Sequence, residues 1–441
     1  MTLDAKEYMP LVRDAVRPSF RGRVDVVSGL LVEAAGLPAA LGELCRIDRG
    51  SADPIDAEVV GFRGASSLLM PHGDLAGIAP MQKVYALRRP FAIPRTRDYI
   101  GRVVDGFGTP IDGGPRISAP GPLQPVRGPA PPALSRAPID APLETGVRVV
   151  DSLLTIGKGQ RMGIFAGSGV GKSTLLGQIT RGTEADAVVV CLVGERGREV
   201  RSFLDNTLGE AGRAKSVLVA ATSDRPPIER LTAPFLALTI AEFLRDEGLE
   251  VLVVMDSVTR FAAAAREVGL AAGEPPTVRG YPPSFFAEVP KLVERLGRTE
   301  RGSITGILTV LLDADDPSDP VGDTLRGLLD GHVVLDRALA HAGHYPAIDV
   351  PGSLSRLMNE LVPIEHRQRA AKLREWIAAH RDARDLLDVG AYKPGSNPLL
   401  DQALARMPAI QHFLRQSEND PTPFQESRAM LDLIVGDEAN S

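Results

Sequence analysis

Residues Gln160–Thr180, reading QRMGIFAGSGVGKSTLLGQIT, constrain the fold of this chain more than any other stretch. Met162, Ile164 and Phe165 are apolar enough for a short buried strand, and Leu175, Leu176 and Ile179 suit a helix. Between them lie Gly167, Ser168, Gly169, Val170, Gly171, Lys172, Ser173 and Thr174. A strand, a glycine-rich loop, Lys-Ser and a helix form the arrangement that cradles phosphate oxygens on inward-turned backbone N–H groups. The helix start adds partial positive charge there. Lys172 is then placed to reach β- and γ-phosphates, and the Ser173 hydroxyl to ligate Mg²⁺. The pattern asks for glycine at position 166, where the chain has Ala166, the smallest substitute. A glycine-rich turn that binds nothing is the plainer alternative, disfavoured by the strand and helix on either side.

At 441 residues the chain is long enough for about three domains. A net charge of −6 gives no basic field that would advertise nucleic-acid binding. Cys45 and Cys191 are the only cysteines, too few for a disulfide framework and not spaced for zinc. Cys191 lies in an apolar run and reads as a buried thiol. No stretch approaches a membrane span and the charged N-terminus lacks an apolar signal region, so the expectation is a soluble, intracellular protein.

Taken in order, residues 1–21 suggest a short amphipathic segment interrupted by Pro10, too small to bury much alone. Residues 22–94 alternate short apolar runs (Val24–Val27, Leu30–Val32, Glu58–Phe62, Ser67–Met70, Lys83–Leu87) with Gly, Pro and Asp, which predicts a small β-barrel or sandwich. Residues 95–145 are a Pro/Gly-rich connector expected to lie over the surface. From Gly146 the pattern turns α/β. Strands are expected at Arg161–Phe165, Ala187–Val193, Ser216–Ala221, Glu250–Met255 and Ser303–Leu312, continuously apolar as in a parallel sheet covered on both faces. A helix is expected over Thr232–Glu247 and helices alone after about Leu357, with Leu373, Trp376 and Ile377 facing inward. The expected domains are therefore 22–94, 95–356 and 357–441, the last a helical domain.

Two carboxylates draw attention. Leu252–Asp256 is an apolar strand ending in Asp256, which beside a phosphate loop can hold Mg²⁺ through its water shell. Arg260, four residues on, either shares that site or pairs with Asp256 or Glu267. Glu195 follows the strand Ala187–Val193, where ligands bind in open α/β sheets, and the expected place of that strand is next to the phosphate-loop strand. A carboxylate there can orient attacking water. The alternative is that Glu195 and Glu199 pair on the surface with Arg196 and Arg198.

The blocks PLETGVRVVD (142–151), AGSGVGKST (166–174), GERGREV (194–200), MDSVTR (255–260), GEPPTVRGYPPS (273–284), DGHVVL (330–335) and GHYPAID (343–349) carry a wider resemblance. In them the chain resembles the hexameric P-loop ATPases related to the catalytic subunit of ATP synthase, and within that family the ATPases of flagellar and type III protein export. The fold this implies is an α/β P-loop NTPase (RecA-like) core with a small N-terminal β-barrel domain and a C-terminal helical domain. The implied activity is hydrolysis of ATP with Mg²⁺ at the subunit interfaces of a homohexamer. By the same resemblance Glu195 is similar to the family's water-activating glutamate, Arg260 to a phosphate-site arginine and Tyr345 to an adenine-stacking tyrosine, the alternative for Tyr345 being a core aromatic beside Pro346. Arg356, in GSLSR, matches an arginine finger that reaches a neighbouring subunit's γ-phosphate; Pro351-Gly352 just before it depart from the expected pattern.

A further departure is Asp313-Ala314-Asp315-Asp316, where the family carries a glycine. The resemblance also implies partners. These are a regulatory stalk protein at the N-terminal segment, export chaperones and substrates at the C-terminal helices, and an export gate at the membrane, with the protein cytoplasmic and peripheral to it. The rivals are a true rotary ATP-synthase subunit, an RNA-translocating hexamer, against which the acidic, aromatic-poor composition argues, and a nucleotide-bound scaffold without turnover, against which Glu195 argues.

Overall fold

In a computed structural model, residues 21–312 and 319–436 are described. The amphipathic segment expected over 1–20 and the Asp313–Asp316 departure lie outside them. The chain divides into two compact units, one reaching to Ala92 and including Glu267–Pro275, the other comprising Ile93–Arg266 and Pro276 onwards.

The first unit contains a closed barrel of antiparallel strands: β1 (Arg21–Ser28), β2 (Leu31–Ala35), β3 (Glu43–Ile47), β4 (Ile55–Arg63), β5 (Ser66–Pro71) and β6 (Lys83–Pro90). They close in the order β1-β2-β5-β4-β3-β6. Alternating inward residues, among them Val24, Val32, Cys45, Ile47, Val59 and Val84, fill its core. Strand β3 has no counterpart in the sequence reading, because Glu43 and Arg46 break its apolar run. Both are accounted for: Glu43 accepts from the Ala40 and Arg88 N–H groups at 3.0 and 2.8 Å, and Arg46 pairs with Asp56.

The second unit is built on a nine-stranded sheet. Its strands are β7 (Val103–Val104), β8 (Arg161–Ala166), β9 (Ala187–Val193), β10 (Ser216–Ala221), β11 (Glu250–Asp256), β12 (Ser303–Leu311), β13 (Gly331–Leu335) and β14 (Leu354–Ser355), with Gly297–Arg298 pairing beside β12. The spatial order is β14-β13-β8-β12-β11-β9-β10-β7, parallel except for β14. All seven residues of β9 are buried, as expected of a strand with helices on both faces.

The order corrects one expectation: β9, which leads to Glu195, is not adjacent to the phosphate-loop strand β8. The later strands β11 and β12 insert between them. Part of the Pro/Gly-rich connector is also not superficial. Val103 and Val104 form the far edge strand, and the Val126 carbonyl accepts from the buried Arg295 guanidinium at 2.8 Å.

Helix α1 (Lys172–Gly182) follows β8, and α2 (Pro227–Asp246) packs on β9, β10 and β11. After the sheet come α3 (Ile364–Asp382), α4 (Pro398–Leu414) and α5 (Phe424–Val435). Their inward residues Leu373, Trp376, Ile410, Phe413 and Leu431 join the same hydrophobic core as Ile164, Leu175 and Val190. Ile377 is only partly buried against that core. Among the described residues no helix is long and apolar enough to cross a membrane.

Candidate active site

Ala166 is the last residue of β8, buried and in register with Leu311 on one side and Leu335 on the other. It stands in extended backbone that any residue adopts, so the missing glycine costs nothing. The turn is made further on, at Gly169 and Gly171, with φ of 76° and 88°. At Gly171 a Cβ would also meet the Tyr345 ring at 3.1 Å, so backbone angle and close approach both require glycine. Val170 is buried and pegs the loop to the core, while Ser168 and Gly169 are exposed. Lys172, Ser173 and Thr174 open α1, whose free N–H groups face the loop's concavity.

These residues line a cleft of about 730 Å³. Gly167, Ser168, Gly169, Gly171, Lys172, Ser173 and Thr174 form one side, with Glu195, Glu199, Arg260 and Tyr345 also contributing. The structure thus brings together nearly all the sequence-derived candidates. Tyr345 is 43% exposed and lies over the loop, so it is not the core aromatic that the alternative reading supposed. Arg260 lies beside Gly194, where a Cβ would come within 3.0 Å of the arginine's own Cβ. Gly194 has φ of 68°, a second place where only glycine suits both backbone and neighbour.

Asp256 ends β11, is 4% exposed and contacts the Lys172 ammonium. Its Oδ1 also accepts from Thr309 Oγ1 at 2.8 Å. Leu192 is in register with Asp256, which explains how Glu195, from a strand not adjacent to β8, still reaches the loop. Ser173 and Asp256 share a smaller cavity of about 220 Å³ with Glu195 and Glu199. Its donors are hard oxygens, which suits Mg²⁺. Among the described residues no group of three or more His, Cys, Asp or Glu side chains forms a metal cage.

Glu195 is partly buried, and its carbonyl accepts from the Ser223 N–H at 3.0 Å. Burial, a hydrogen bond with the Glu199 carboxyl and the charge of Asp256 push its carboxyl up to about 7, against the pull of Lys172. Glu199 sits one helical turn on and touches the exposed Arg196 at 3.7 Å. It faces the cleft as well, a placement the sequence reading treated only as a surface pairing.

Arg356 is not brought to the cleft. It follows the edge strand β14, is exposed, and its Nη2 donates to the Arg326 carbonyl at 3.3 Å. Gly352 and Asp349 form a tight turn before it: a Cβ at Gly352 would lie 2.4 Å from the Asp349 carboxylate. The sequence reading missed Thr309, Gln178 and the stretch Gln416–Glu418. The last two reach the cleft from positions that carry no motif, and nothing in their spacing marks them.

Residues 146–355 match the ATP synthase alpha/beta family, nucleotide-binding domain, and residues 362–432 match the T3SS EscN ATPase C-terminal domain. The type 3 secretion system ATPase of Xanthomonas euvesicatoria is 47% identical over 417 residues, 94% of each chain. The flagellum-specific ATP synthase of Bacillus subtilis is 48% identical over 419 residues, 95% of each. Among solved structures, the assembled ATPase EscN in complex with its central stalk EscO, from the enteropathogenic E. coli type III secretion system, superposes with a TM-score of 0.87. It is 42% identical and covers 94% of this chain and 100% of that one. With its fold and sequence shared, this chain belongs to the ATP synthase alpha/beta family, in the branch of type III secretion and flagellum-specific ATPases.

Proposed function

We propose that this chain hydrolyses Mg-ATP in a homohexameric ring to energise protein export through a flagellar or type III apparatus. The observation that carries the reading is the split of its machinery. Lys172, Ser173, Glu195, Arg260 and Tyr345 converge on one cleft, and Asp256 on the smaller cavity that shares Ser173 and Glu195 with it, whereas Arg356 stands exposed away from both. Such a division suits a site completed by a neighbouring copy.

The triphosphate lies along the Gly167–Thr174 backbone with Lys172 on its outer phosphates, and the base lies against Tyr345. Ser173 and Asp256 would hold Mg²⁺, which supplies charge neutralisation for the phosphates. Glu195 orients a water for in-line attack on the γ-phosphorus and accepts its proton as the bond to the β–γ bridging oxygen breaks. Arg260 and, from the next subunit, Arg356 balance charge spreading onto the transferred group.

The match of residues 362–432 to an export-ATPase C-terminal domain favours export over a rotary synthase subunit. By analogy with the EscN–EscO complex, the ring takes a stalk protein. We assign that contact to the N-terminal segment, chaperones and clients to the C-terminal helices, and the membrane-bound export gate as the destination. The test is phosphate release from ATP by the purified full chain. Turnover should depend on Mg²⁺ and vanish with Lys172→Ala. Turnover surviving that substitution would overturn the assignment.

A further inference from the structure

The loop between α4 and α5 is held by an unusually dense set of polar ties, and Gln416 is their hub. It is 6% exposed. Its backbone N–H donates to the Tyr345 carbonyl at 2.9 Å. Its side-chain Oε1 accepts from the Arg148 N–H at 2.9 Å. Its Nε2 donates to the Gly146 and Asp420 carbonyls at 2.8 and 2.7 Å, with Thr422 Oγ1 at 3.1 Å. The phosphate-loop helix grips the same loop. Gln178 Nε2 donates to the Ser417 carbonyl at 3.1 Å and Arg181 Nη2 to the Glu418 carbonyl at 2.6 Å.

This loop lines the nucleotide cleft through Gln416, Ser417 and Glu418. A second cavity of about 290 Å³ also borders this loop, lined by Gln416, Glu418 and Asp420 together with Gly146 and Arg181. The loop therefore forms part of the wall of two cavities, and packing alone does not fix it. An amide can do so because it donates and accepts from one planar group.

We propose that Gln416 is a positioning residue that sets the cleft wall shared with Tyr345, and so the hold on the base end of ATP. This rests on the reading of the cleft as the ATP site. Among the described residues the side-chain hydrogen bonds of Lys172, Glu195 and Asp256 run to one another, to Glu199 and to Thr309, and not to Gln416's partners, so the wall acts on binding of the base and not on transfer of the γ-phosphoryl group. A loss confined to uniform binding raises KM and leaves kcat in place.

The experiment uses the full-length assembled protein carrying Gln416→Leu, which keeps the size of the side chain and removes the amide. The KM for ATP should rise roughly tenfold with kcat within about twofold. Inhibition by Mg-tripolyphosphate, which has no base, should be unchanged. Parallel weakening of ATP and tripolyphosphate, a fall in kcat at constant KM, or no change in either would each overturn the proposal. Should Gln416→Leu fail to fold, Gln178→Met removes one strap and should give the same split, several-fold in size; the split's absence there overturns the proposal equally. Lys172→Ala separates the two readings. It should abolish binding of both ATP and tripolyphosphate, and retention of both would refute the phosphate site whatever Gln416 does.

Discussion

Glu195 works only as a carboxylate, yet its surroundings favour the acid. Desolvation by burial, the Glu199 hydrogen bond and the charge of Asp256 together push it up to about 7, with Lys172 opposing them. A base so placed is protonated below that value and competent above it. The log of kcat/KM for ATP should therefore fall with unit slope as pH drops below about 7 and run flat above it. Glu199→Gln removes a like charge, so the limb should move to lower pH, though burial and Asp256 still hold it above the usual carboxylate range. A limb that stays in place would assign the titration to another group. Glu195→Gln should retain ATP binding and lose on the order of 10²–10⁴ in turnover, the usual worth of a positioned base. Nucleotide binding by fluorescence titration and phosphate release measured on one preparation check both halves.

At the level of elements, the end of α1 meets the turn that precedes the sheet. A Cβ at Gly182 would stand 2.6 Å from the Thr145 carbonyl oxygen and 3.1 Å from the Gly146 Cα. These are backbone atoms, anchored in turn by Asp151, which accepts from Thr145 N–H, Thr145 Oγ1 and Gly146 N–H at 3.0, 2.7 and 3.0 Å. Gly182→Ala would gain about 0.5–1 kcal/mol of helix propensity, but overpacking an anchored neighbour costs about 1–3 kcal/mol, so the net effect should be destabilising. In the helix Pro320–Leu328, a Cβ at Gly327 meets nothing within 4 Å. There the propensity gain stands alone, and Gly327→Ala should stabilise by about 0.5–1 kcal/mol. Urea midpoints of the two variants should shift in opposite directions, and a shared sign would contradict the packing argument. The same local physics explains what the sequence made legible. Continuous apolar runs such as Ala187–Val193 announce buried strands, and Gly169 and Gly171 announce a phosphate turn. Strand β3 was hidden by Glu43 and Arg46, and β13 by being short and carrying His332. The order of parallel strands is a long-range choice that no local pattern encodes, which is why β9 seemed to neighbour β8. Gln416 was invisible for a similar reason: its partners Gly146 and Arg148 lie about 270 residues away.

For the molecule as a whole, the question is where the charge opposite the cleft comes from. Arg356 stands after β14, at the sheet edge, with its backbone N–H on the Asp330 carbonyl at 2.9 Å and its guanidinium touching the Arg326 carbonyl. The first contact ties its backbone to the turn before β13 and the second rests the guanidinium on the end of the helix Pro320–Leu328, while the residue stays exposed. A guanidinium held this way and facing solvent is suited to act on another copy. An arginine supplied across an interface is worth about 10³–10⁵ in phosphoryl-transfer rate. Arg356→Ala should therefore suppress turnover by at least about 10³ in assembled rings while ATP still binds to the isolated chain. Mixing decides whether the residue acts in trans. Rings containing both Arg356→Ala and Glu195→Gln chains include interfaces where an intact Glu195 faces an intact Arg356, so the mixture should recover turnover that neither variant has alone. The wild-type rate per chain should also climb with protein concentration through the assembly range, in step with ring mass measured by light scattering. If mixed rings form and stay inactive, or the rate per chain is flat while rings assemble, Arg356 does not complete a neighbour's site and the cleft must be catalytically complete within one chain.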